Sequence, residues 1–321
     1  MKKIIIDCDP GIDDALAINL AINSKEYDIL GITLVSGNVE ATLCYENTLK
    51  ILNFEQTSIP VYIGAQVPLV KKLVTAKETH GENGLGNAKL SYKYTKPNET
   101  HAVDFILDSL KKEKNIKIFA LGPLTNIALA LKKDKEAFKN AEIIAMGGAF
   151  KSHGNCSPVA EFNFWVDPHA ADYVIKNFPG KIKLIPLDVT REFVLTPNTI
   201  SFLNHLDKER TTFIKSITDF YMDFHYEYED IIGCVINDPI TFLSDLRPDL
   251  FNSKEYFCEV ATSSSAVGEL IVDEYNFYKK EPNVILYNSI NAPLAMKEFL
   301  KRIYKGNEDK ILSRECLLWK N

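Results

Sequence analysis

The chain has 321 residues, 46% of them hydrophobic and 25% charged. At that length folding buries about three quarters of the unfolded surface, and the composition excludes disorder, collagen and a disulfide-stapled miniature. With 37 Lys and Arg against 43 Asp and Glu, the net charge of −6 lacks the basic excess of a nucleic-acid binder, while leaving small neutral ligands open.

Residues 3–8 (KIIIDC) read as a buried strand and residues 13–22 as a helix. A strand follows at 29–36, a helix around 45–52 and a short strand at 61–64. The polar stretch 71–98 is long for a plain connection and reads as an ordered excursion or active-site loop. Beyond it come a helix at 103–110, a strand at 116–121, a helix at 124–131 and a strand at 143–146. A helix at 169–176 leads to a strand at 182–187, then helices at 211–226 and 239–246. Strands at 256–261 and 283–287 and a helix at 292–303 close the pattern. Such alternation implies an α/β fold, one domain over 1–321 with a mainly parallel sheet flanked by helices. Nothing resembles a membrane span or a signal-peptide core. Six scattered cysteines (Cys8, Cys44, Cys156, Cys234, Cys258, Cys316) have no zinc spacing, and read as free thiols of a cytoplasmic protein.

The sharpest feature is Asp7-Cys8-Asp9-Pro10-Gly11-Ile12-Asp13-Asp14, between a strand and an apolar helix. Four carboxylates in eight residues repel one another unless something cationic sits among them. One would serve as a helix cap. Four, with no His or Cys cluster beside them, suit a hard divalent cation, Ca²⁺ or Mg²⁺. Cys8 is expected to point away, into the core. Ser36-Gly37-Asn38, Gly122-Pro123-Leu124-Thr125-Asn126, Met146-Gly147-Gly148 and Asn237-Asp238-Pro239 fall where other strands end or helices begin. In open α/β sheets that is the ligand crevice. Asn155, Glu161 and Asn163 add groups suited to sugar hydroxyls.

Together these residues resemble the inosine–uridine-preferring nucleoside hydrolases. IDCDPGIDDALAI matches that family's N-terminal signature, and SGN (36–38), THGENGLG (79–86), LGPLTNIA (121–128), MGG (146–148), NCSPVAEFN (155–163) and NDP (237–239) continue it in order. The resemblance implies a homodimer or homotetramer holding Ca²⁺, with a ribonucleoside as substrate. It implies Asp9, Asp14, Asp238 and the Thr125 carbonyl as metal ligands, with Asp9 also the base for the metal-bound water. Asp13, Asn38, Asn155, Glu161 and Asn163 would meet ribose, with Met146 packing near the sugar. The reaction would release ribose through an oxocarbenium-like state.

One position departs from the family. Many purine-cleaving relatives carry His, a candidate acid for the leaving base, where this chain has Asn237, and an amide delivers no proton at neutral pH. His80 and His225, with Tyr226 and Tyr228 nearby, are the substitutes, and pyrimidine or mixed specificity is expected. Two alternatives stay open: a non-catalytic nucleoside binder lacking a leaving-group acid, and a phosphohydrolase with Asp7 as nucleophile and Asp9 as acid.

Overall fold

Apolar runs bounded by turn residues build the centre of the molecule. In the computed structural model, which describes residues 1–313, the chain opens with β1 (Lys2–Cys8), α1 (Ile12–Ser24), β2 (Tyr27–Leu34), α2 (Ala41–Phe54) and β3 (Val61–Ile63). After α3 (Lys77–His80) and α4 (Ala102–Lys112) come β4 (Lys117–Ala120), α5 (Thr125–Lys133) and β5 (Glu142–Met146). Next are α6 (Phe162–Val166), α7 (Pro168–Asn177), β6 (Ile182–Ile185), α8 (Leu187–Thr190) and β7 (Val194–Leu195). Then follow α9 (Pro197–Leu203), α10 (Lys208–Glu229), β8 (Cys234–Val235) and α11 (Pro239–Leu246). The last elements are β9 (Phe251–Tyr256), β10 (Cys258–Val260), β11 (Leu270–Val272), β12 (Val284–Ile290), α12 (Ala292–Ile303) and α13 (Glu308–Leu312).

Eight strands form one sheet in the order β3-β2-β1-β4-β5-β6-β12-β9. Every neighbouring pair is parallel except β9 with β12. The chain winds outward from β1 to β3 on one side, then returns to β4 beside β1 and winds the other way. That reversal leaves a crevice at the carboxyl ends of β1 and β4, where ligands of such sheets bind. Both faces are covered, so β1 reads as a continuous apolar run rather than an alternating one. Ile4, Ile6 and Cys8 enter the core layer packed with α1, while Ile5 enters the layer shared with α4, α5 and α7.

Several strand boundaries differ from the sequence expectation: the strand expected at 29–36 is Tyr27–Leu34, the one at 283–287 runs from Val284 to Ile290, and β7, β8 and β11 were not expected. Two further differences have a local cause. The run 256–261 is two strands, because β9 ends at Tyr256 on the main sheet and β10 pairs antiparallel with β11. The strand expected over 182–187 stops at Ile185, since Pro186 has no amide to donate and Leu187 opens α8. The polar stretch is ordered around α3. No helix among the described residues is long and apolar enough to cross a membrane. Cys8, Cys44, Cys234 and Cys258 are buried free thiols and Cys156 an exposed one; Cys316 lies outside the described residues.

Candidate active site

The turn leaving β1 is organised by Asp14, the third residue of α1. Its Oδ2 accepts from the Gly11 amide at 2.9 Å and its Oδ1 from the Asp9 amide at 3.3 Å, occupying donors that a helix start leaves free. Asn38, after β2, joins this turn. Its amide N–H donates to Asp9 Oδ2 at 2.7 Å and its side-chain Nδ2 to Asp14 Oδ2 at 3.1 Å. Asp9 Oδ1 is buried and has no protein partner among the described residues. Asp13 Oδ2 accepts from Asn237 Nδ2 at 3.0 Å. Asp238 enters from the start of α11, and one oxygen each of Asp13, Asp14 and Asp238 lies within 4.8 Å of the others.

These acids have no counter-charge from the chain: among the described residues, no Lys or Arg pairs with Asp9, Asp13, Asp14 or Asp238. Burial, reinforced by Asp14, pushes the Asp9 carboxyl well above its ordinary range. Burial and the charge of Asp13 take Asp14 up to about 7, and the same two causes raise Asp238. The structure separates Asp7 from this group. Its Oδ1 accepts from Thr33 Oγ1 at 2.6 Å and Asn126 Nδ2 at 2.8 Å, and burial raises its pKa to about 6. Asp7 lines no part of the cavity, which leaves a nucleophile role without access.

A cavity of about 340 Å³ opens over the cluster, within the range of small-molecule sites. Of the residues that the resemblance implies for metal and ribose, all line it except Asp9, Asp14 and Thr125, and His80, His225 and Asn237 line it too. Asp9 and Asp14 lie just behind Asn38. Thr125 begins α5, buried, with its hydroxyl donating to Asp167 Oδ2 at 2.7 Å. On the opposite wall Asn163 Nδ2 donates to the carbonyls of Leu121 and Met146 at 2.7 and 3.2 Å, pinning the ends of β4 and β5. Its Oδ1 has no protein donor among the described residues. Glu161 accepts from the amides of Asn163, Gly148 and Phe164, and burial raises it to about 7 against those bonds. Asn155 Oδ1 accepts from the Phe162 amide at 3.0 Å.

The far end is aromatic. His80 closes α3, and Tyr221, Phe224, His225 and Glu229 face the cavity from α10. Tyr226 and Tyr228, suggested by the sequence, are instead exposed at 67% and 68%. Helical geometry explains Tyr226, which falls off the stripe that residues three and four apart share. Tyr228 shares that stripe by spacing but lies in the last turn of α10, with its ring against Phe224 at 4.8 Å. The same spacing, counted back from His225, would have found Tyr221. Arg191 on the rim carried no local signal.

Two glycines make room for Asp9. A Cβ on Gly37 would lie 2.0 Å from Asp9 Oδ2, and one on Gly122 would lie 2.3 Å from Asp9 Oδ1. A Gly37→Ala variant must displace the carboxylate, and for the ribonucleosides that the resemblance implies as substrates kcat/KM is expected to fall about 10²-fold, the scale of an ångström-level misplacement. Wild-type rates in a ribose-release assay would refute the tight fit.

Comparison with known proteins agrees with this geometry. A probable uridine nucleosidase 2 from Arabidopsis thaliana is 36% identical over 317 residues, covering 95% of this chain and 98% of that protein. A pyrimidine-specific ribonucleoside hydrolase, RihA, from Escherichia coli is 35% identical over 286 residues, 87% of this chain and 91% of its own. The solved purine-preferring ribonucleoside hydrolase from Gardnerella vaginalis superposes with a TM-score of 0.89 at 31% identity, covering 94% of this chain and 98% of that one. Residues 4–297 match the family described as inosine-uridine preferring nucleoside hydrolase, and the chain belongs to that family.

Proposed function

We propose that the protein hydrolyses the N-glycosidic bond of ribonucleosides to ribose and free base, with Ca²⁺ in the carboxylate cluster and pyrimidine or mixed base preference. The observation that carries this reading is the group of buried, uncompensated carboxylates at the floor of a nucleoside-sized cavity. Asp9 Oδ1 is buried without a partner among the described residues, and the groups of the cluster are carboxylate and carbonyl oxygens, which fits a hard divalent cation. Asp9, Asp14, Asp238 and the Thr125 carbonyl would hold it. Bound there, Ca²⁺ would offset the carboxylates' repulsion and act as a Lewis acid toward water and sugar oxygens.

The chain's own groups do the rest. Asp9 is the general base that takes a proton from the attacking water. Asp13, Asn38, Asn155, Glu161 and Asn163 orient the ribose hydroxyls, with Asn163 offering its free Oδ1, and Met146 packs against the sugar. The buried carboxylates stabilise positive charge developing at C1′, where fixed groups in a dry site act most strongly. Cytoplasmic residence is supported by the free thiols of the described residues, and a homodimer or homotetramer remains what the sequence resemblance implies.

Ribose release from uridine, cytidine and inosine, with Ca²⁺ or with chelator, tests the reading. Uridine or cytidine is expected to turn over at least as fast as inosine, and only with the metal. No ribose from any of them would overturn it. Tight nucleoside binding without turnover would select the non-catalytic binder that Asn237 motivates.

A further inference from the structure

A departing base needs a proton, and Asn237 has none to give. Resting on the nucleosidase reading, we propose that His225 protonates the leaving base and that His80 stands beside it as a fixed, neutral hydrogen-bond donor.

Hydrogen-bond partners distinguish the two imidazoles. His80 Nδ1 lies 3.2 Å from the Ile12 amide, and an N–H can only donate, so Nδ1 holds a lone pair and the proton sits on Nε2. A second proton on His80 would set two N–H groups against each other and strip an amide of α1 of its acceptor. His225 is the reverse case. Its Nδ1 lies 2.8 Å from the Tyr221 carbonyl oxygen, which can only accept, so Nδ1 carries the proton and Nε2 is bare. Protonation at Nε2 keeps that bond and strengthens it by charge. Both rings line the cavity, and among the described residues neither Nε2 has a protein partner.

The phenol at this end is excluded on its chemistry. The Tyr221 hydroxyl accepts from Asn237 Nδ2 at 3.3 Å; burial, reinforced by Asp13, holds its pKa far above that of a free phenol. It remains a neutral donor. The groups bearing on His225 are Glu229 on its own helix, Asp13 at the head of α1, Arg191 just after α8, and His80 on α3. Glu229 and Asp13 favour the imidazolium, while burial, Arg191 and His80 disfavour it. Burial dominates and leaves the pKa below its ordinary value, which makes the imidazolium scarcer but a stronger acid.

The step balances. The C1′–N bond breaks and its electron pair stays with the base, which receives the His225 Nε2 proton on a ring nitrogen or exocyclic oxygen. Water oxygen bonds to C1′, and the water proton goes to Asp9. Proton exchange with solvent resets both residues, so a nucleoside and water become ribose and base.

The test compares uridine with p-nitrophenyl riboside, whose phenolate leaves without a proton. His225→Gln is expected to lower kcat on uridine by about 10²-fold or more, the usual contribution of a general acid, and to lose far less on the nitrophenyl substrate. Wild-type kcat on uridine should fall as pH rises through the His225 pKa, and this limb should vanish in H225Q. His80→Gln, which keeps an N–H donor, should retain it. Equal losses on both substrates, or an undiminished uridine rate in H225Q, overturn the assignment. A wild-type protein that releases ribose from no nucleoside overturns the nucleosidase reading itself, whereas the variant's leaving-group dependence judges His225 alone.

Discussion

Replacing Asp9 by asparagine is expected to lower ribonucleoside turnover by about 10³-fold or more, within the range for loss of a general base. The amide nearly matches the carboxylate in size, so the bond from the Asn38 amide to Oδ2 can persist while charge and basicity go. The fold should survive. Asp9 is fully buried, its carboxyl is raised by burial and by Asp14, and removing a buried like charge relieves repulsion. A melting temperature at or above wild type in chelator, with ribose release nearly abolished, is the expected pair of results. Near-wild-type turnover would remove Asp9 from the chemistry.

Withdrawing the cation should have the second large effect, and its size should depend on pH. Asp14 is raised from 3.8 to about 7, with burial and Asp13 as causes, and Asp7 to about 6 by burial. Because the folded-state values lie above the unfolded ones, the stability these groups contribute is fully present below about pH 4. It is lost as pH rises through 6 and 7. A divalent cation needs ionised ligands, so its binding strengthens over the same interval. Chelated protein should therefore melt lower at pH 8 than at pH 5, and the gain on adding Ca²⁺ should widen toward pH 8. At a thousandfold excess over Kd that gain approaches about 4 kcal/mol, or several degrees. Thermal melts across pH with Ca²⁺ or chelator decide the matter; a gap that narrows toward pH 8 refutes a cation in the cluster.

The turn after β1 was legible because few uses exist for four acids and a glycine between a strand and a helix. It was read slightly too broadly. Asp9 lies beyond the last residue of β1, so strand alternation no longer ties it to Asp7, whose partners Thr33 and Asn126 sit on neighbouring elements. Parallel strands buried on both faces announce themselves as unbroken apolar runs, which is why β1, β4 and β5 were found. The division between β9 and β10 was hidden, since a local pattern records burial but not which strand lies alongside. Arg191 illustrates the same limit: its guanidinium donates to the carbonyl of Gly154 at 3.1 Å, a contact made across the fold rather than along the chain. The tautomers of His80 and His225 depend on backbone atoms of Ile12 and Tyr221, and no side-chain motif encodes them.

The parts of the carboxylate cluster are widely separated in order of synthesis. Asp9 and Asp14 leave the ribosome early, whereas Asp238 arrives at the start of α11, after β6 has extended the sheet and α10 has been made. Until then the early acids have no fourth wall, and a cation arriving first would meet only part of its ligand set. If the cluster holds a cation as proposed, its capture would be a late event in biogenesis, and an ion bound firmly there would report that nearly the whole chain has reached its place.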